Sequence, residues 1–491
     1  MITKLNIFLI MFLPIQLWAQ NTKLTLDLSE VIQIASEQSY DALIAKNTYL
    51  GSYWEYRTYK ADYLPSLTLS GTPLGFDRSI STYINSEGEQ FYSSNSNNST
   101  ANLSLRQNIG LTGGNIYMRS GLQRIDQFTD STTNTNYSSS PVIIGFSQPL
   151  FGFNSLKWNK KIMPLKYKEA QKKYLEAKEQ ISIKAIMAFF DLSLAQINLE
   201  IAKMNYNNTD TLYHISQGRY NIGTIALNEL LQMELGFLKS KSNLEESRLD
   251  LEVKKFRLRS FLGYNETVNI ELIIPETVPD VEIPYNIAIQ EALENNSNIL
   301  SYQRQLIQAN RNVAQAKANR GFSANLFTEY GLNQSAPQIA DVYKDPDNSL
   351  QVNIGLSVPI LDWGKGRGGV KMAESNREVI FTSVRQNRID FEQDVYLKVM
   401  QFNMQDDQLT IAAKADTIAQ FRYRVTKQRF LIGKIDVMEL NNALAEKDQN
   451  RRQYISALRN YYSFYYNLRK LSLYDFIENK TLLEDFSKLE K

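Results

Sequence analysis

Apolar residues recur every three or four positions in six long segments of the chain, and this period predicts amphipathic helices. The segments cover residues 28 to 64, 155 to 217, 224 to 262, 285 to 320, 370 to 431 and 434 to 472. Two seams are especially regular: Ile181, Ala185, Ala188, Leu192, Ala195, Leu199 and Ala202 alternate steps of four and three, and Leu230, Phe237, Leu244, Leu251 and Leu258 repeat every seventh residue. This spacing favours coiled-coil packing, although an ordinary helical bundle has the same period.

Between these segments, apolar and polar residues alternate one by one, which is the pattern of β-strands. Residues 350 to 358 carry an apolar side chain at every second position, and Val142, Ile144 and Phe146 continue the pattern in the first half of the chain. The alternation fits a lipid-facing barrel with a wet lumen. It fits a half-buried soluble sheet equally well.

The two halves of the chain repeat each other. Residues 145 to 151 match residues 355 to 361 at an offset of 210, and residues 219 to 223 match residues 429 to 433 at the same offset. Upstream, residues 35 to 38 match residues 292 to 295 at an offset of 257, so the first β-hairpin contains 47 extra residues. Each half therefore runs helix, hairpin, very long helix, tight turn and helix. This order predicts a rod with both hairpins at one end and both turns at the other.

The repeat also predicts the domain organisation. The expected segments are a leader at 1–19, a first helix at 20–64, a β-hairpin with an extended outer loop at 65–150, a helical hairpin at 151–274 with its turn near 218–224, a junction at 275–284, a helix at 285–320, a second β-hairpin at 321–360, a second helical hairpin at 361–472 with its turn near 430–435, and a C-terminal tail at 473–491.

The extra residues of the first hairpin contain two more alternating runs, residues 101 to 111 and 115 to 122. They fit strand extensions above the membrane, a loop that narrows the outer mouth, or an additional strand pair. We expect an elaboration outside the membrane.

The N-terminus has the features of a secretory signal peptide. Lys4 precedes an apolar stretch from Leu5 to Trp18, and we expect cleavage between Ala19 and Gln20. A buried N-terminal helix is the alternative. No later stretch approaches the roughly 18 apolar residues of a membrane-spanning helix, so entry into a membrane would require a closed barrel.

The amino-acid composition disfavours most catalytic and metal-binding functions. The chain has 54 Lys and Arg against 52 Asp and Glu, so no global field favours nucleic acid as a partner. With no Cys and a single His, His214, we expect no cofactor, no metal site and no lipid-anchored cysteine. Phosphate loops and nucleophile elbows are absent from the sequence as well, so a secreted enzyme is disfavoured.

Several motifs in a fixed order resemble the TolC family of outer-membrane efflux proteins. They are residues 26 to 31 (LDLSEV), 64 to 67 (LPSL), 146 to 151 (FSQPLF), the paired Arg-aromatic-x-x-Gly turns, and residues 436 to 440 (DVMEL). The resemblance implies an α+β membrane protein with a twofold internal repeat of coiled-coil helices and β-hairpins. It further implies a trimeric twelve-stranded β-barrel, four strands from each subunit, and a periplasmic α-helical barrel.

By the same resemblance, the protein is a passive exit duct of a tripartite efflux pump or a type I secretion system. The expected location is the outer membrane, with a periplasmic helical extension. Its implied partners are two further copies of the chain, a periplasmic adaptor (membrane fusion) protein, an inner-membrane transporter and outer-membrane lipid. A periplasmic coiled-coil scaffold or adhesin stalk is the alternative, but it does not explain the two hairpins.

The resemblance also points to site residues at the two turns. Adaptor docking would involve Arg219, Tyr220, Gly223, Arg429, Phe430 and Gly433, and a pore constriction would involve Phe430, Glu439, Asn442 and Glu229. The family pattern is incomplete here, since Phe430 lacks a phenol, Asn442 replaces an acid and Ile435 replaces a base.

Each of these residues also has a purely structural interpretation. The glycines are also typical helix caps and the arginines typical of helix ends, while the two glutamates also suit solvated helix starts. His214 fits a surface residue. The lysine cluster at 157, 160, 161, 166 and 168 is most simply a solvated helix face.

Overall fold

The computed structural model describes residues 23–85, 88–129, 132–264, 268–275 and 278–490. The expected signal peptide and its cleavage site at Ala19 and Gln20 lie outside the described residues. Two compact units are formed. The helical unit comprises the described residues up to Asn47, Tyr174–Asn295 and Asp394–Glu484, and the sheet unit comprises Thr48–Lys173, Asn296–Gln393 and the residues from Asp485.

The helices repeat with the spacing that the sequence predicts. They are α1 Leu28–Gln38, α2 Tyr40–Ala61, α3 Ser155–Asn221, α4 Leu227–Leu262, α5 Tyr285–Asn295, α6 Ser297–Arg320, α7 Lys365–Leu431, α8 Val437–Ser472 and α9 Phe486–Leu489. Both long helices have 67 residues, and both helices after the turns have 36. An offset of 210 relates α3 and α4 to α7 and α8, and an offset of 257 relates α1 to α5.

Each of the two shorter helical segments is broken once, where the sequence predicts a continuous helix. The break lies at Ser39 in the first repeat and at Asn296 in the second, the same repeat position. The Ser39 Oγ accepts a hydrogen bond from the backbone N–H of Ala42 at 3.1 Å, and the Asn296 side chain accepts one from the N–H of Asn298 at 2.9 Å. Both residues are buried and start the next helix as side-chain caps.

The core of the helical unit is built on α3. Ile186, Phe189 and Leu192 are fully buried there, as are Leu258 of α4 and Ile455 of α8. Among the described residues, α3 alone is long and apolar enough to cross a membrane by length and composition, with a window of mean hydropathy 1.4. The expectation that no segment would reach this level is therefore wrong. Since 56% of the window is buried within the chain, core packing accounts for its apolar character.

The helical unit also contains two pairs of short strands. A parallel pair is formed by β1 Lys23–Leu26 and β7 Asn269–Leu272, and an antiparallel pair by β10 Tyr474–Asp475 and β11 Lys480–Thr481. Arg469 of α8 forms ion pairs with Glu179 of α3 at 3.1 Å and with Asp475 at 3.0 Å. Burial raises the pKa of Glu179. Burial would also raise the pKa of Asp475, but hydrogen bonds from Tyr465 and from the backbone, together with the charge of Arg469, lower it below its ordinary value.

The sheet unit contains a seven-stranded antiparallel sheet. Its strands are β2 Ser66–Thr72, β3 Phe76–Asn85, β4 Gly88–Asn108, β5 Asn115–Phe128, β6 Thr133–Leu150, β8 Ser323–Ala336 and β9 Asp347–Ser357. The spatial order is β2-β4-β5-β6-β8-β9, with β3 also paired to β4. Because β2 and β3 pair with successive parts of β4, they occupy a single strand position interrupted at Pro73.

The additional residues of the first hairpin form strands within this sheet. Residues 95 to 108 of β4 pair without interruption with residues 115 to 128 of β5, so each strand satisfies the backbone of the other. The expected extended outer loop is therefore wrong, and the sheet has six strand positions where the resemblance implies four. The hairpin formed by β3 and residues 88 to 94 of β4 extends past the end of β5 at Phe128.

One face of the sheet is apolar and exposed. Directly paired residues point to the same face, and one such row contributes an apolar side chain from every strand position: Leu67, Leu105, Met118, Ile144, Tyr330 and Leu350. Leu67 is 66% exposed and Leu350 is 68% exposed. A surface of this kind in one chain indicates contact with lipid.

The opposite face is polar and contains a bridge over a glycine. The Tyr117 hydroxyl of β5 donates to a carboxylate oxygen of Glu329 on β8, crossing β6 above Gly145. Arg119 also contacts Glu329, at 3.0 Å. A Cβ at Gly145 would lie 2.2 Å from the Tyr117 ring, so the bridge requires glycine at this position.

Four helices of the sheet unit lie side by side in the order of the strands that they join. Tyr63, just beyond α2, donates to the Leu156 carbonyl of α3 at 2.7 Å, and Arg304 of α6 contacts Glu169 of α3 at 2.6 Å. Tyr302 of α6 donates to the Asn387 carbonyl of α7 at 3.3 Å. The row is α2, α3, α6, α7. Burial alone would raise the pKa of Glu169, but Arg304 and Lys173 lower it below its ordinary value.

We predict that Gly145→Ala destabilises the protein by about 1–3 kcal/mol, because the methyl group would overlap the Tyr117 ring. Adding Tyr117→Ala removes the overlap, so the double variant should be no less stable than Tyr117→Ala alone. The matched control is Gly355→Ala at the equivalent repeat position, where the nearest atom would lie 4.0 Å away. Thermal unfolding followed by circular dichroism measures all four, and equal effects of the two glycine substitutions would contradict the prediction.

Candidate functional site

The two turns that join the long helices have the same backbone geometry. In the first, the N–H of Gly223 donates to the Tyr220 carbonyl at 2.9 Å and the N–H of Thr224 donates to the Arg219 carbonyl at 2.9 Å. Gly433 and Lys434 make the corresponding bonds to Phe430 and Arg429, at 2.9 and 3.0 Å. Both glycines have a φ of 75°. Each turn is therefore a Schellman motif, in which glycine satisfies the last helical carbonyls.

The arginines at the turns have different surroundings. The Arg219 guanidinium lies 5.7 Å from the centroid of the Phe430 ring and contacts the Leu431 carbonyl at 3.5 Å. It therefore links the first turn to the second. Arg429 and Tyr220 are exposed, which leaves their side chains accessible to another protein.

Phe430 is a core residue in this arrangement. Its side chain is only 4% exposed and packs in a cluster with Leu212 of α3, Met233 of α4, and Val437 and Leu440 of α8. All four helices that meet at the turns contribute to this cluster. The burial corrects the expectation that the ring of Phe430 narrows a pore.

Glu439 and Asn442 lie on the solvent side of α8. Val437, Leu440 and Ala443 are buried on its other side, whereas Glu439 and Asn442 are exposed. The Asp436 side chain accepts a hydrogen bond from the Glu439 N–H at 2.8 Å and caps the helix. Glu229, half-buried, holds the equivalent position of α4, whose preceding residue Ala226 provides no side-chain cap. Both acids therefore lie in the first turn of a helix, where negative charge is favourable.

The two helical hairpins differ one or two turns away from this cluster. In the first, the Phe237 ring packs against Tyr206 at 5.6 Å and against Tyr213 at 5.8 Å. The equivalent residues of the second hairpin are Lys447, Asp416 and Tyr423, and the Lys447 ammonium lies 4.7 Å from the Tyr423 ring centroid.

Lys447 and Asp416 are both buried, and Arg451 forms an ion pair with Asp416 at 3.0 Å. Aligning the two repeats at an offset of 210 pairs Phe237 with Lys447 and Tyr206 with Asp416. The sequence therefore contains the signal for this replacement of aromatic rings by charged side chains, although the repeat motifs alone do not reveal it.

A groove lined by α3 and by the flanking helices α4 and α8 opens beside the turns. Its volume is about 950 Å³. Small or polar residues line both walls at alternating steps of four and three: Gly236, Ser240, Asn243 and Ser247 on α4, and Asn441, Ala445, Asp448 and Arg452 on α8. This spacing is that of a coiled-coil seam. Because its residues are small or polar, this seam is invisible to a pattern of apolar positions.

His214 is exposed, with its Nε2 3.7 Å from Asp210, in agreement with a surface residue. In the part of the chain that the structure describes, no group of three or more His, Cys, Asp or Glu side chains is placed to hold a metal ion.

A family model described as outer membrane efflux protein matches residues 108–264 and 288–472, more than half of the chain. The chain belongs to this family. Its location is thus the outer membrane, with a periplasmic helical part, and it is part of the exit route of an efflux system. The family is one of conduits, and the fold is TolC-like.

Solved structures agree with this fold. The CmeC outer membrane channel of Campylobacter jejuni is 15% identical, with a TM-score of 0.66 over 94% of this chain and 88% of that chain. The outer membrane protein VceC of Vibrio cholerae is 13% identical, with a TM-score of 0.64 over 91% and 95%. The Neisseria gonorrhoeae MtrE outer membrane channel is 14% identical, with a TM-score of 0.58 over 91% and 88%. No curated protein matches the chain.

We predict that Gly433→Ala loosens the second turn, since a non-glycine residue with positive φ costs about 1–2 kcal/mol. Amide hydrogen exchange over residues 428 to 440 should become several-fold faster. Gly218→Ala is the control, because Gly218 is helical and has open space around its Cα; it should leave the exchange unchanged or slow it. Unchanged exchange in Gly433→Ala would contradict the cap.

Proposed function

We propose that this chain is one third of a homotrimeric, passive exit duct that carries no catalytic chemistry of its own. An inner-membrane transporter supplies the energy, and a periplasmic adaptor connects the two, in a tripartite efflux pump or a type I secretion system. The observation that carries the proposal is the sheet, which has an exposed apolar face and two open edges.

The edges favour closure by further copies. Within the described residues, the strand position of β2 and β3 has a neighbour on one side only, and so has β9 at the other edge. Unpaired backbone groups in lipid cost several kcal/mol each. Because six positions alternate in direction, β9 of one copy would run antiparallel to β2 of the next. A ring of copies therefore removes every edge.

The long helix α7 also favours neighbouring copies. Leu397, Met404, Ile411, Ile418 and Val425 repeat every seventh residue and are 39% to 67% exposed. A strict seven-residue apolar stripe is the seam of a left-handed coiled coil. In a single chain this seam has solvent on one side, and a helix from a second copy would bury it.

For the adaptor, we propose docking at the exposed side of the two turns and in the groove between α4 and α8. The groove has two walls with coiled-coil spacing, which suits a helical partner. Arg429 and Tyr220 at the turns are exposed. Helix capping by Gly223 and Gly433 is compatible with docking, because the glycine side of each turn has open space.

A periplasmic scaffold is the second candidate, favoured only by the coiled-coil seams. The two candidates predict different behaviour on washing outer membranes with carbonate or urea. A duct whose apolar sheet face contacts lipid should stay in the membrane, whereas a scaffold should be released.

Purification from outer membranes and reconstitution into planar bilayers tests the duct directly. We expect a particle of three chains with discrete single-channel conductance. A monomer without conductance would contradict the proposal.

We further propose that Glu439 forms a ring of negative charge at the periplasmic entrance, with Asn442 and Glu229 close to it. Replacing Glu439 with Gln should weaken the preference of the channel for cations, because charge rings attract counter-ions. Reversal potentials in a salt gradient measure this preference. Glu446→Gln serves as a control on the same helix two turns on, where Arg422 contacts the acid. Unchanged selectivity in Glu439→Gln would remove the ring.

A further inference from the structure

A row of directly paired residues crosses the polar face of the sheet at the level of the bridge between Tyr117 and Glu329. It takes one residue from each of the six strand positions: Ser66, Arg106, Tyr117, Gly145, Glu329 and Gln351. Because directly paired residues point to the same face, all six belong to the polar face. The row therefore contains two charged residues, Arg106 and Glu329, on the side of the sheet away from the apolar surface.

The negative charge of this row is balanced within the chain. The Glu329 side chain is only 11% exposed, accepts a hydrogen bond from the Tyr117 hydroxyl and forms an ion pair with Arg119 at 3.0 Å. Arg119 lies two residues beyond Tyr117 on β5 and therefore points to the same face. The Arg119 guanidinium thus offsets the charge of the Glu329 carboxylate.

The positive charge of Arg106 has no such partner. Its side chain is exposed, and it forms no ion pair in the part of the chain that the structure describes. In the described strands, two other acids lie on the polar face, and both are far from Arg106. Asp347 is four residues from Gln351 on β9, roughly 13 Å from the row. Asp77 pairs with Ser96, ten residues from Arg106 on β4, roughly 34 Å away. One unit of positive charge per chain therefore remains.

The surroundings of Arg106 leave its guanidinium accessible. Ser66 is its direct neighbour on β2, Ser104 precedes it on the same face of β4, and both side chains are short. A guanidinium group presents its N–H donors in one plane, which matches the two oxygens of a carboxylate or phosphate. A free arginine in small polar surroundings therefore suits an anionic group of a solute.

Closure of the sheet would place this arginine in a channel. In the proposed ring of three copies the apolar face contacts lipid, so the polar face lines the lumen. The Arg106 side chains of the three copies then lie at one level of the barrel. Rings of arginine or lysine favour anions in a pore, because like charges around a water-filled passage raise the local concentration of counter-ions.

We propose that Arg106 forms an anion-attracting ring in the barrel lumen, which contacts the carboxylate or phosphate groups of solutes on their way out. The inference rests on the proposed function, because the polar face becomes a lumen only in a closed barrel. Its charge is opposite to that of the Glu439 ring proposed at the periplasmic entrance. The barrel therefore favours anionic groups at a separate point of the route.

A cysteine at Ser66 measures the electrostatic potential beside Arg106, because the natural chain contains no cysteine. We purify the Ser66→Cys protein from outer membranes and measure how fast two methanethiosulfonate reagents modify its thiol, one with a sulfonate and one with a trimethylammonium group. The test variant adds Arg106→Gln, and Arg106→Lys keeps the charge. The matched control adds Arg78→Gln, which removes an exposed arginine of β3 on the opposite face of the sheet.

We expect Arg106→Gln to lower the ratio of the sulfonate rate to the trimethylammonium rate at low salt. The fall should be roughly four-fold, because one unit charge about 10 Å from the thiol in water acts with opposite sign on the two reagents. Salt should weaken the effect, and Arg106→Lys and Arg78→Gln should keep the original ratio.

An unchanged ratio in Arg106→Gln would overturn the proposal. An equal fall in Arg78→Gln would overturn it as well, because it would show a general effect of net charge.

Conductance of the same preparations in planar bilayers separates this result from the proposed function. A conducting channel whose ratio does not respond to Arg106→Gln contradicts the anion site alone. A ratio that responds in a protein that does not conduct supports the anion site and contradicts the duct.

Discussion

The backbone at the edges of the sheet is the constraint on which the rest of the structure depends. A membrane offers no water to an unpaired N–H or C=O group, so an antiparallel sheet there must close. In its described residues, this chain supplies six strand positions, an apolar face and two open edges. In the proposed trimer, closure comes from the other copies, and the exposed heptad seam of α7 would be covered by a neighbouring copy as well.

The repeat explains how one chain combines rigid spacing with differences in chemistry. Equal helix lengths of 67 and 36 residues keep both turns in the same register. Within that frame, Phe237 stacks between tyrosines in the first hairpin, whereas Lys447 and Asp416 place buried charges at the equivalent sites. Buried charges are costly when a partner is lost.

Much of the architecture could be predicted, because helical period, strand alternation and repeat offsets are all local patterns. The breaks at Ser39 and Asn296 were missed because a cap residue inside a helical period leaves the period intact. The extra strand pair was visible as two alternating runs, but alternation does not say which strands pair. At the turns, the capping role of the two glycines could be predicted, because a helix often ends at a residue with positive φ. The burial of Phe430 could not, because it depends on four helices that meet at one place.

Cross-linking between sheet edges tests the central claim most directly, because the natural chain contains no cysteine. One cysteine replaces Thr68 in β2 and a second replaces Gln351 or Asn353 in β9. After oxidation in outer membranes, the account predicts covalent species of two and three chains on a denaturing gel, none larger, and none from either single-cysteine variant. Chains that stay uncross-linked for both pairs, or ladders that extend beyond three chains, would contradict it.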